Sequence, residues 1–70
     1  VHFRFILWDE SRISAEVFDV TGRKTDILYS GILPAAEHDL QMDLADRSPG
    51  VYFIRLHVNE HLFVKRFIVQ

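Results

Sequence analysis

Carboxylates are the first residues of this chain that could do chemistry. Asp39 and Asp43 share one face of an alternating segment, and Asp46 follows closely. Such a set can act as general acid and base, or hold Ca²⁺ through its oxygens. No Asp-x-Asp-x-Asp-Gly loop accompanies it, so it reads as the solvated face of a strand. The histidines are His2, His38, His57 and His61. His57 and His61 straddle one turn, and two imidazoles can share a zinc ion. A hairpin there sets His61 opposite Val58 and His57 beside Leu62, which parts the rings. Ser14, Ser30 and Ser48 lack the glycines of a nucleophile elbow. Gly22, Gly31 and Gly50 stand alone and form no phosphate-cradling loop. The reading is of a chain without an enzymatic site, metal or cofactor.

The elements that carry these residues are strands. Pro49-Gly50-Val51-Tyr52-Phe53-Ile54-Arg55-Leu56 and Phe63-Val64-Lys65-Arg66-Phe67-Ile68-Val69-Gln70 predict a terminal hairpin. Tyr52, Ile54, Leu56 and Val58 share one face at period two, and aromatic and β-branched residues suit a half-buried pleat. Phe63, Phe67 and Val69 share one register on the returning strand, with Lys65 among them. A charge in that place implies a bulge, a snorkelling side chain or an edge position. Asn59-Glu60 turns the hairpin, because Asn tolerates the left-handed region.

Earlier in the chain, Phe3, Phe5 and Leu7 alternate with Arg4, and Trp8 to Ser11 forms a polar turn. Arg12 to Asp19 predicts a second strand with Ile13, Ala15 and Val17 inward. Phe18 and Val20 break its alternation, which implies a cover by a loop or another chain. Gly22 supplies the positive φ of a tight turn. A third strand is expected over Thr25 to Tyr29, with Ile27 and Tyr29 alternating. Ser30 to Ala36 then reads as a crossing loop, punctuated by Gly31 and Pro34. Glu37 to Leu44 alternates His38, Leu40, Met42 and Leu44 against Asp39, Gln41 and Asp43. The sum is an all-β protein: a small antiparallel β-sandwich of six to seven short strands. Its expected core is Phe3, Phe5, Ile13, Val17, Leu40, Met42, Tyr52, Ile54, Leu56 and Phe67.

Seventy residues without cysteine lie near the lower size limit for folding without a disulfide or metal staple. Six Phe, two Tyr and one Trp nonetheless argue against disorder. The formal net charge is −2, and the eight Lys and Arg residues are scattered, so no phosphate-tracking stripe for nucleic acid exists. Apolar runs such as Phe5-Ile6-Leu7-Trp8 are too short to span a bilayer. The chain opens at Val1 as if inside a strand, and is read as a single sandwich unit (residues 1–70) cut from a longer secreted protein. Unpaired edges in so small a sandwich predict a homodimer through strand addition or exchange.

Three segments in order resemble the C-terminal sorting domain of type IX (Por) secretion substrates in Bacteroidota. Val17-Phe18-Asp19-Val20-Thr21-Gly22-Arg23-Lys24 is similar to the family's strand–turn segment. Ser48-Pro49-Gly50-Val51-Tyr52-Phe53-Ile54-Arg55-Leu56 is similar to its Gly-x-Tyr strand. Val64-Lys65-Arg66-Phe67-Ile68-Val69-Gln70 resembles its basic-then-aliphatic ending. Three departures stand out: Ala36 replaces a Gly before Glu37-His38, Asn59-Glu60 replaces a Gly-containing turn, and no Asn-Pro strand precedes Val1.

The resemblance implies an immunoglobulin-like sandwich that labels its cargo for export through the periplasm and outer membrane to the cell surface or beyond. It implies recognition by the outer-membrane translocon and shuttle proteins, then removal by a sortase that transfers the cargo to anionic lipopolysaccharide. Gly50, Tyr52, Lys65 and Arg66 fall at the motif positions for translocon recognition, with Gly22 and Arg23 as a structural turn motif. The rival reading is a non-catalytic immunoglobulin-like structural or accessory module of a surface protein. Such modules carry a Trp-Asp-Gly stretch where this chain has Met42-Asp43-Leu44-Ala45.

Overall fold

β2 (Ser11–Asp19) is the centre of the molecule, paired on one side with β3 (Lys24–Leu33) and on the other with β5 (Gly50–Val58). β6 (His61–Val69) pairs with β5 and completes a four-stranded sheet in the order β3-β2-β5-β6. β1 (His2–Leu7) and β4 (Ala36–Gln41) form a separate two-stranded sheet that packs over it. All pairings are antiparallel. The computed structural model describes residues 1–45 and 47–70.

Alternation explains the layers. Ile13, Ala15 and Val17 of β2 are almost fully buried, while Arg12 on the opposite face of the strand is exposed. Val17, Met42, Tyr52, Ile54 and Val69 form one buried cluster, with Phe3, Leu28, Leu44 and Phe67 packed against it. Phe3 of β1 meets Phe67 of β6 edge-on, with ring centroids 5.4 Å apart, which ties the small sheet to the terminal hairpin. Leu7, Ala15 and Val69 are buried beyond the ten expected core residues. Phe3, Phe5, Leu40, Leu56 and Phe67 are only half-buried. A two-stranded layer is too narrow to cover a four-stranded one, so the inner face stays open beside β1 and β6.

Four expectations are corrected. β3 runs through Ser30, Gly31, Ile32 and Leu33, which pair with Ser14, Ile13, Arg12 and Ser11, so the crossing to the small sheet is only Pro34-Ala35. Ile27 points to solvent and is 63% exposed. Tyr29 pairs with Ala15 but Ile27 pairs with Glu16, so Leu28 is the extra residue of a β-bulge and turns inward to the core. Phe18 keeps the alternation of β2, facing outward opposite Phe53, and is covered by the Arg55 guanidinium 5.1 Å from its ring centroid. β4 ends at Gln41, although Met42 and Val1 still exchange backbone hydrogen bonds of 2.9 Å.

Turn chemistry closes the two hairpins. Asn59 has φ 54°, and its side-chain oxygen accepts from the Arg12 N–H at 2.9 Å while its own N–H donates to the Arg12 carbonyl. The turn of the terminal hairpin is thereby sewn to the start of β2. At the β2–β3 turn, Asp19 Oδ1 accepts from the Thr21 N–H, the Thr21 hydroxyl and the Arg23 N–H. Gly22 adopts φ 84° there and donates its N–H to the Asp19 carbonyl. These bonds to the charged form, the Thr21 hydroxyl foremost, hold the Asp19 carboxyl below its ordinary range.

Candidate interaction surface on the terminal hairpin

Tyr52 is the anchor of the hairpin. It is buried, its ring stacks on Phe67 at 5.8 Å, and its hydroxyl donates to the Ser48 carbonyl at 2.7 Å. A tyrosine near the start of a strand that bonds back to upstream backbone is the corner device of immunoglobulin-like sandwiches. The side chain therefore organises the loop entering β5 and presents little to solvent. Gly50 opens the strand at φ 153° with nothing within 4 Å of an added Cβ. Backbone conformation, and not space, is what calls for glycine at that position.

Lys65 and Arg66 part company in the structure. The β5–β6 register is continuous, so Lys65 faces Ile54 on the inner side and Arg66 faces Phe53 on the outer side. Both are exposed because β6 is the last strand of its sheet. Of the three readings for Lys65, an edge position is the one observed. Gly50 pairs with Val69 and Tyr52 with Phe67, so the motif positions of both strands share one ladder. Gly22 and Arg23 lie in the β2–β3 turn, where Arg23 Nε stands 3.4 Å from Asp19 Oδ2.

The other chemically able side chains do not converge. Asp39 meets His2 at 3.0 Å and Arg4 at 3.9 Å on the exposed face of the small sheet. Asp43 Oδ1 accepts from the Ala45 N–H at 2.9 Å, and Asp46 lies outside the described residues. His61 pairs with Val58 and His57 with Leu62, which places the two rings on opposite faces. Among the described residues, no group of three or more His, Cys, Asp or Glu is placed to hold a metal ion. No helix there is long and apolar enough to cross a membrane.

One ion pair escaped the sequence reading. Arg47 contacts Asp26 of β3 and pins the segment between β4 and β5 against the four-stranded sheet. Asp26 stands opposite Val17 on the inner face, which partly buries the pair. The register that places it there depends on the bulge at Leu28, so no local signal disclosed it. The Asp19 carboxylate, which the reading of this turn from Gly22 passed over, had a local signal, since an Asp opening a turn bonds the backbone two residues on.

Fold and hairpin together define a small antiparallel β-sandwich module. Compared with known families, the chain matches the secretion system C-terminal sorting domain over residues 1–70. It belongs to that family, and is a C-terminal sorting domain of type IX secretion in Bacteroidota. The family is not catalytic in general. Comparison with curated proteins and with solved structures returned no match.

Proposed function

We propose that the terminal hairpin is the surface by which this domain directs its cargo through the type IX translocon. The observation that carries the reading is the display of Lys65 and Arg66 on an uncovered edge strand, anchored from beneath by buried Tyr52. A recognition surface needs exposed, specific groups on a rigid frame, and exposed charges on an edge also discourage unwanted pairing. Shuttle proteins at the outer membrane are the further partners, and a cell-surface sortase removes the domain and transfers the cargo to anionic lipopolysaccharide. The cargo then resides on the cell surface or outside the cell. The free edge of β3, on the other side of the four-stranded sheet, carries in addition a homodimer through strand addition or exchange, tested by light scattering at about millimolar concentration.

The decisive experiment fuses the domain to a reporter in a type IX-competent bacterium and measures surface display. Lys65→Glu, Arg66→Glu and the double reversal are compared, with melting curves in parallel. Exposed substitutions change stability by less than about 0.5 kcal/mol, so folding is preserved. Loss of display from the folded double reversal is the expected result. Normal display of that variant removes the pair from recognition, and a wild-type fusion that never reaches the surface removes the sorting role.

A further inference from the structure

An open groove runs between β1 and β6, the last strands of the two sheets on this side of the sandwich. Phe3, Phe5, Ile54, Leu56, Phe63 and Lys65 line it. Two adjoining hollows of about 210 Å³ and 310 Å³ share Phe5, Leu56 and Phe63. They lie below or at the foot of the roughly 300–1,000 Å³ range of small-molecule sites, and suit single side chains of an extended segment. Phe63 is 57% exposed although it points to the inner face.

The backbone of β6 is equally unfinished. In a hairpin closed by two residues, the pair flanking the turn exchanges both of its hydrogen bonds, and the bonded pairs then alternate. Val58–His61 is that pair here. The N–H and C=O groups of Leu62, Val64, Arg66 and Ile68 therefore aim at the free edge. Neither a bulge nor a proline interrupts β6, and such an edge templates the addition of another strand.

We propose that this edge and groove take up an extended strand of a partner protein, apolar at alternate positions and bearing a carboxylate opposite Lys65. Charge selects that occupant. Lys65 has no carboxylate within ion-pair distance among the described residues, whereas Arg4 is already met by Asp39 on the outer face of the small sheet. Two copies joined β6 to β6 fit less well, since His61–Val69 contains no Asp or Glu to meet Lys65. The inference rests on the sorting reading for the partner's place in the export apparatus, whereas the chemistry of the strand rests on the groove.

The probe is a fluorescent peptide of nine residues, the length of β6, alternating threonine with valine and carrying one central glutamate in the valine series. It is titrated against the seventy-residue chain beside glutamine and lysine versions. The glutamate peptide binds about tenfold more tightly than the glutamine peptide. Lys65→Glu reverses the preference towards the lysine peptide. Val64→Pro removes a free-edge donor without removing a ladder bond, and abolishes binding while the domain stays folded. Equal affinity for the three peptides, no saturable binding of the glutamate peptide, or retained binding by folded Val64→Pro overturns the proposal. A wild-type dimer that Val64→Pro dissociates assigns the edge to a second copy, and overturns it too. Reporter display separates this inference from the one beneath it. An undisplayed wild-type fusion fails the sorting reading, whereas normal display of folded Val64→Pro fails the strand alone.

Discussion

Lys65 stands directly across the β5–β6 ladder from buried Ile54, so a lysine occupies an inward-facing position of the terminal strand. Its immediate neighbour Arg66 faces the opposite way, over Phe53. The basic dipeptide thus presents its two charges on opposite faces, one at the groove and one on the outer side. Single reversals at the two positions should accordingly have different effects, Lys65→Glu on peptide binding at the groove and Arg66→Glu not, and equal effects in that titration contradict the division.

Ile54 lies in the buried cluster beside Val17, Tyr52 and Val69. Ile54→Ala should cost about 2–5 kcal/mol as a large-to-small change in a packed core. For so small a domain, the expected outcome is a strongly lowered melting temperature or no cooperative transition. An unaltered melting curve contradicts the packing described.

Tyr52→Phe keeps the ring on Phe67 and removes only the bond to the Ser48 carbonyl. Loss of one such bond costs roughly 0.5–1.5 kcal/mol. The domain should remain folded, and hydrogen exchange should quicken in the loop before β5. Equal stability of wild type and variant, measured by urea denaturation, rules out a corner role for the hydroxyl.

Asp19 provides the pH dependence. Its carboxyl is held below the ordinary value of 3.8, foremost by the Thr21 hydroxyl, so the unfolded chain binds more protons than the folded one between the two pKa values. The contribution is complete above the unfolded pKa and is lost as pH falls through the folded one. Asp19→Asn cannot titrate, so the stability gap between wild type and variant should be widest near neutrality and should close on acidification. A gap of constant size from neutral to strongly acid pH contradicts this account.

Arg47 and Asp26 form a partly buried pair at the rim of the core, and Arg47 Nε is buried without a further partner among the described residues. Removing one partner leaves the other charge uncompensated, so Asp26→Ala and Arg47→Ala should each cost more than an exposed pair is worth. The double variant should lose less than the sum of the two, with a coupling of about 0.5–3 kcal/mol in a double-mutant cycle. Strict additivity shows that the pair does not interact in solution.

The residues of β2, β4, β5 and β6 announced their own faces. In each, apolar residues such as Ile13, Ala15 and Val17, or Tyr52, Ile54 and Leu56, recur at period two, and side-chain direction in a strand follows that period alone. The Asn59-Glu60 turn was equally legible, because the left-handed residue has to be one that tolerates it. The three family segments also stand in the sequence in their right order, so the family did not depend on the fold.

What only tertiary structure decided are relations that no local period encodes. The bulge at Leu28 reverses the faces of Ile27 and Leu28, and follows from how β3 must twist against β2. Gly31 reads as a loop residue, yet pairing with Ile13 keeps it in a strand. Asp26 finds Arg47 only once the segment after β4 folds back across the sheet. The open groove, too, depends on strand count: two strands laid over four leave an inner face partly bare, and that imbalance appears only when the layers are assembled.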